Sequence, residues 1–200
     1  MVRPRLIPTL LLKEGLLVRS QLFTVHQAIG NPISTIMRYS NWNIDELVIL
    51  DISQDDFHDL RRDDLHIQYA GSTTIDLLKA ISNVCLMPLS VGGRIRTLED
   101  MRDRLKAGAD KCIINTKALE DPSFIGQASR KFGAQCVVVS IDVKKHDDGR
   151  YEVFSNSGKK PTGLTPEKWA REAEKAGAGE ILLNSIDRDG SALGYDLELV

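Results

Sequence analysis

Nearly continuous apolar runs alternate with amphipathic stretches along these 200 residues. The runs are Arg5–Leu12 (RLIPTLLL), Glu46–Ile52 (ELVILDI), Val84–Val91 (VCLMPLSV), Lys111–Asn115 (KCIIN), Gln135–Asp142 (QCVVVSID) and Glu180–Ile186 (EILLNSI). They lack the polar–apolar alternation of half-exposed strands, which is the pattern of parallel strands buried on both faces. Between them lie NPISTIMRYSNW, TTIDLLKAISN, TLEDMRDRLKAGA, DPSFIGQASRKFGA and TPEKWAREAEKAGA. Several of these open on a capping residue followed by Pro or an acid and close on Gly, the start and stop signals of helices. Strands separated by helical crossovers predict a parallel α/β fold.

The chain also repeats itself. IPTLLLKEG (Ile7–Gly15) returns as VVVSIDVKK (Val137–Lys145), so that Leu11-Leu12-Lys13 falls on Asp142-Val143-Lys144. NIDELVILDIS and GAGEILLNSID form a second matching pair. Strands one and two thus resemble strands five and six, the offset of an eight-unit barrel made by doubling. An open nucleotide-binding sheet would carry G-x-G-x-x-G after its first strand, where Gly15 stands alone. The expected fold class is α/β, a TIM-type (β/α)8 barrel. Residues 1–200 are expected to supply about six of its βα units as one domain, incomplete at the C-terminus.

Composition narrows the function. An apolar fraction of 42%, a charged fraction of 27% and a net charge of −2 give no reason to expect nucleic acid or an anionic membrane. No apolar stretch approaches the roughly 18 to 20 residues of a membrane span. The start MVRPRLIPTLLLKEG has too short an apolar part, broken by Pro8, for a secretory signal. Cys85, Cys112 and Cys136 are odd in number and lie in separate apolar runs, as reduced core thiols of a cytoplasmic protein would.

In a parallel barrel the reacting groups sit at the C-terminal ends of strands. Those ends carry Leu11, Asp51, Gly92-Gly93-Arg94, Asn115-Thr116, Asp142 and the run Asn184–Gly190. VGGRIRT reads either as an anion-binding loop with bare backbone N–H groups or as a tight turn. Asp142 follows an apolar run, so burial is expected to raise its pKa and suit it to proton transfer; the alternative is a rim carboxylate capping a turn. At the opposite ends, Arg5, Glu46, Lys111 and Glu180 form either a closed ring of charge or a solvated rim. Lys111 and Asn115 share a strand face, as do Glu180 and Asn184, but Asp51 lies five residues from Glu46 and needs a bulge to face the same way. Asp51–Ser72 is rich in Asp, Arg and His, with His58 and His66 among Asp55, Asp56, Asp63 and Asp64. A solvated loop is expected there, with neither metal nor cofactor.

The motifs RLIP…KEG, DELVILDI, VGGRIRTLED, GADKCIIN, VVVSIDVKK, SGKKPTGL and GAGEILLNSIDRDGSALGYD together resemble the cyclase subunit of imidazole glycerol phosphate synthase, from residue 3 to the last. The resemblance implies a barrel that takes ammonia from a docked glutaminase, as a heterodimer, and closes a ring on a phosphorylated small molecule. It makes Arg5, Glu46, Lys111 and Glu180 an ammonia gate, and Asp110 a contact for the glutaminase. Asp142 becomes the general acid, and Gly92, Gly93, Asn115, Thr116, Ser185 and Asp189 the substrate and phosphate contacts. The general base is expected at position 11, which is leucine. Arg94 replaces a third loop glycine and is expected to crowd the phosphate; Asn184 replaces a hydroxyl residue. LLLK with NSIDRDG is similar to a paralogous branch associated with sugar amidation in surface-polysaccharide synthesis, which implies relay of ammonia to a separate sugar amidotransferase with cyclisation weak or lost. The alternatives are an authentic cyclase of histidine biosynthesis, using an acid from the Asp51–Asp64 loop, and a scaffold for a glutaminase.

Overall fold

A computed structural model describes residues 4–42, 44–58 and 72–200. Two compact units emerge, one of residues 1–19 and 27–112, the other of residues 20–26 and 113–200. His66, Asp63 and Asp64 of the acidic loop lie outside the described residues.

Strand β1 (Thr9–Lys13) of the first unit runs through a tight turn into β2 (Leu16–Gln21), whose last two residues are counted with the second unit, as are the first two of the following β3 (Val25–Gly30). Glu14 and Gly15 both take positive φ, 51° and 86°, as a two-residue hairpin turn demands. Helix α1 (Pro32–Asn41) leads to β4 (Leu47–Asp51), α2 (Thr74–Ser82) to β5 (Leu89–Gly92), and α3 (Leu98–Lys106) to β6 (Lys111–Ile114). Strand β1 pairs antiparallel with β2 and parallel with β4, which pairs parallel with β5. Asn31 caps α1 ahead of Pro32, and Thr73 with Asp76 and Thr97 with Asp100 form capping boxes on α2 and α3. Leu10, Leu12, Leu47, Ile49, Leu89 and Val91 pack against Ile36, Leu77, Leu78 and Ile81 of the helices. Alternation therefore commits Thr9, Leu11, Val48, Leu50 and Ser90 to the other face.

In the second unit, α4 (Thr116–Glu120) and α5 (Ser123–Phe132) precede β7 (Val137–Lys145). Strand β7 turns back antiparallel into β8 (Tyr151–Ser155), which pairs with the short β9 (Lys160–Pro161). Helix α6 (Pro166–Ala176) then crosses to β10 (Glu180–Ser185), parallel to β7. Thr165 and Pro166 start α6, and Gly177 ends it in the left-handed region at φ 110°. Trp169 and Ala173 of α6 are fully buried, as are Ile125 and Ala128 of α5 and alternate residues of β7.

The strand starts differ from the sequence reading. Arg5–Pro8 is not strand: Leu6 donates its N–H to the Asp45 side chain, and Pro8 has no N–H to give. Val84–Pro88 is not strand either, because Val84 and Cys85 hydrogen-bond back to Ile81 O and prolong the turn ending α2. The β2–β3 and β8–β9 strands were not foreseen.

Gly93, at φ 109°, lies so close to β4 that a Cβ there would stand 2.1 Å from the Asp51 carbonyl oxygen. Gly93→Ala is expected to cost at least about 2 kcal/mol, as clash and left-handed strain add. A urea midpoint unchanged by the substitution would show that β4 and this loop are not in contact.

Candidate active site

Asp142, near the end of β7, is 7% exposed. Three neighbours donate to its carboxylate: Asn115 Nδ2 to Oδ2 at 2.9 Å, Asn184 Nδ2 to Oδ1 at 2.8 Å, and Ser140 Oγ to Oδ1 at 3.3 Å. Asn184 also donates to Ser140 Oγ at 3.1 Å. The grouping follows from register, since Asn184 stands opposite Asp142 in the β7–β10 ladder and Ser140 lies two residues back on the same face. Burial raises the Asp142 pKa; the donors from Asn184, Ser140 and Asn115 oppose this, and the Asp189 charge adds to the rise. The net direction is upward, which fits a carboxyl able to hold a proton and give it up.

The remaining expected ligand contacts have partners inside the chain. Asp189 accepts from Ser20 Oγ at 2.6 Å and from the Phe23 N–H at 3.1 Å. Gly190 meets the same turn so closely that a Cβ there would stand 2.0 Å from Ser20 O. Thr116 Oγ1 accepts from the Asn156 N–H at 3.2 Å, and Ser185 Oγ donates to Asp196 at 3.3 Å. A cleft of about 370 Å³ opens beside these residues, lined by Asn184, Ser185, Arg188, Asp189, Tyr195 and Asp196 among others.

In the first unit, Leu11 stands opposite Val18 of β2 and Leu50 of β4, so its cross-strand neighbours are apolar. Asp51 stands opposite Leu12, on the helix-packed face. No bulge brings Asp51 round to the Glu46 face. Its carboxylate is instead enclosed by Arg94 Nη2 at 2.8 Å, Thr74 Oγ1 at 2.8 Å, the Ser53 N–H at 3.0 Å and the buried His58 Nε2 at 3.2 Å. Burial raises the Asp51 pKa, but the hydrogen bonds of His58 and Ser53 and the Arg94 charge outweigh it and lower it to about 2. Asp51 is therefore a poor candidate for a displaced base.

Arg94 takes φ 50°, the left-handed conformation a glycine would adopt without strain. Its guanidinium also bonds Asp56 Oδ1 at 2.9 Å, Ser53 O at 3.2 Å, Asp55 O and Thr74 Oγ1. The arginine is thus drawn onto the segment after β4, which accounts for its presence without a ligand contact. Among the described residues no group of three or more His, Cys, Asp or Glu could hold a metal.

At the strand starts, Glu46 is buried and accepts from Arg5 at 3.0 Å, from Lys111 at 2.9 and 3.0 Å and from Ser90 Oγ at 2.7 Å. Three of the four expected gate residues thus meet in one unit; Glu180 opens β10 of the other. Asp110 accepts from the Leu89 N–H at 2.8 Å and returns its own N–H to Leu89 O, fastening the start of β5. Sequence reasoning missed Ser140 and the buried Arg104, and it expected His58 in a solvated loop, whereas His58 is fully buried against Asp51 and Thr74. Only Arg104 left a signal, the 101–104–107 spacing it shares with buried Met101 and Ala107.

The family described as "Histidine biosynthesis protein" matches residues 5–200. The chain is 42% identical over 199 residues to imidazole glycerol phosphate synthase subunit HisF of Alkaliphilus metalliredigens, covering 100% of this chain and 74% of that relative. It is 43% identical over 196 residues to the subunit of the same name from Endomicrobium trichonymphae, covering 98% and 71%. With the alternating strands and helices, this match places the fold in the TIM-barrel class.

Two outcomes follow from the carboxylates. Asn184→Leu removes a donor from Asp142, and its pKa is expected to rise further in a carbon-detected carboxyl titration; an unmoved midpoint would show that Asn184 does not support the carboxylate. For Asp51 the folded pKa is depressed, so its stabilising effect is complete above the unfolded value of 3.8 and is lost as pH falls towards about 2. Asp51→Asn is expected to cost about 2 kcal/mol at neutral pH and almost nothing near pH 2. Parallel stability–pH curves for the two proteins would contradict this.

Proposed function

Since the chain belongs to the histidine biosynthesis protein family, we propose that it is a cyclase-type barrel subunit of a glutamine-dependent imidazole glycerol phosphate synthase. It takes ammonia from a glutaminase subunit and acts on a phosphorylated ribulosyl nucleotide. Asp142 carries this reading, as a buried carboxyl under three donors with an upward-shifted pKa. In the proposed mechanism Asp142 gives a proton to the departing group and Asn115 and Asn184 keep its carboxyl oriented. Arg5, Glu46, Lys111 and Glu180 form the ammonia gate, and Gly92, Gly93, Thr116, Ser185 and Asp189 line the substrate site. No cofactor is required. Both relatives carry the synthase name, which favours ring closure in histidine biosynthesis over other fates of the ammonia.

One observation favours a second reading, in which the barrel relays ammonia to a separate sugar amidotransferase and its own ring closure is weak or lost. Leu11 cannot move a proton, its cross-strand neighbours are Val18 and Leu50, and Asp51 is engaged on the opposite face. Loss of one acid–base partner typically slows such chemistry about 10²–10⁴-fold.

The glutaminase is proposed to dock at the strand-start end. There Leu6, Trp42 and Leu86 are 65%, 67% and 83% exposed, far above the usual burial of such residues. Ser40 ties two of these segments together, donating to Val84 O and accepting from the Leu86 N–H.

Turnover of the ribulosyl nucleotide with ammonium salt and no glutaminase separates the two readings. Slow turnover, raised at least about tenfold by Leu11→Asp, is expected if the chain closes the ring. Inactivity of both proteins would favour the relay. For docking, Trp42→Ala and Leu86→Asp should each weaken glutaminase binding about tenfold or more in calorimetry, as loss of apolar anchors does. Full affinity in both variants would place the partner elsewhere.

A further inference from the structure

Arg104, in the body of α3, is 6% exposed. Among the described residues no carboxylate lies within ion-pair distance of it, although a buried guanidinium is normally answered by one. Asp100, one turn earlier, has its carboxylate on the N–H groups of Arg96 and Thr97. Arg104 donates instead to two backbone carbonyls, Nη1 to Asp100 O at 3.0 Å and Nη2 to Gly93 O at 2.8 Å. Its Nε is buried with no acceptor. Helical side chains lean towards the helix N-terminus, so this one runs up α3 to the loop that leaves β5. A leucine would fill that space without the penalty of a buried charge.

The bond to Gly93 O fixes more than the glycine. In a trans peptide the C=O and the following N–H point to opposite sides. With the Gly93 carbonyl drawn to Arg104, the Arg94 N–H is aimed away from α3, and no acceptor among the described residues takes it. Gly93 cannot shift towards β4, where the Asp51 carbonyl already lies against it. The Arg94 side chain contributes little free charge, since its guanidinium is matched by Asp51 and Asp56.

We propose that Arg104 is a positioning residue for an anion site on the Gly92–Arg94 loop, orienting the Arg94 N–H towards a phosphate dianion and standing behind it as a buried positive charge with no carboxylate in direct contact. This rests on the reading of that loop as a phosphate contact of the substrate. The buried charge gives the loop a preference for a dianion over a neutral ligand of the same shape.

Inorganic phosphate is the probe, titrated at constant ionic strength into isotopically labelled protein, with the amide resonance of Arg94 as readout. In the wild-type protein that resonance is expected to shift saturably. Arg104→Met, which fills the space without charge, should keep the dispersed spectrum and weaken phosphate at least tenfold. Arg104→Lys, which keeps the charge without the planar fork, should fall between the two. Wild-type affinity in either variant would overturn the proposal while leaving the phosphate loop standing. Absence of any phosphate shift in the wild-type protein would remove the phosphate loop itself and this inference with it. If Arg104→Met fails to fold, Arg104→Lys decides alone: weakened binding supports the role and unchanged binding overturns it.

Discussion

Side-chain alternation along parallel strands, with one face committed to helices, decides which residues of this chain can do chemistry. In the first unit the committed face takes Leu10, Leu12, Leu47 and Ile49 against α1 and α2. Because the period is two, Asp51 must follow Leu47 and Ile49 to the helix side, whatever its place at a strand end suggests. The same rule leaves Leu11 on the opposite face, beside Val18 and Leu50. In the second unit it brings Ser140, Asp142 and Asn184 together. One geometric constraint thus separates a carboxylate held by charged partners from one held by neutral donors.

The two carboxylates show how environment divides the work of a single residue type. Asp51 is buried among a guanidinium, an imidazole, a hydroxyl and a backbone N–H, so its charged form is favoured and its basicity is low. Asp142 is buried among neutral amides and a hydroxyl, with another carboxylate nearby, and burial prevails. Charged neighbours make a structural anion; neutral donors leave a group that can exchange a proton.

Much of this was legible from the chain. The apolar runs located six strands that alternate with helices and the caps located the main helices, because both depend on local chemistry that tertiary packing reinforced. Val84–Met87 misled because an apolar run reads alike whether it ends a helix or starts a strand. Leu16–Gln21 and Val25–Gly30 were passed over, although the Glu14-Gly15 turn was a hairpin signal. Asp142 stood out by its position after an apolar run. Asn115 and Asn184 were marked only as strand-end residues; that both donate to Asp142 depends on strand register across remote segments, while Ser140 lies two residues back on the same strand. Arg94 was expected across the loop mouth; its attraction to Asp51 and Asp56 depends on the path of the segment after β4, which spacing does not encode.

A hydrogen bond at the base of the acidic loop has a bearing on how such a chain can diverge. The His58 N–H donates to Ser72 O at 2.7 Å, while Thr74 and Arg94 tie the adjoining residues to Asp51 and Asp56. The two strands of chain that leave and re-enter the barrel wall are therefore sutured to each other before either reaches β4 or α2. Because the bond between residues 58 and 72 is made by backbone alone, the Ser72 side chain can be replaced in the course of divergence without parting the chain that leaves β4 from the chain that enters α2.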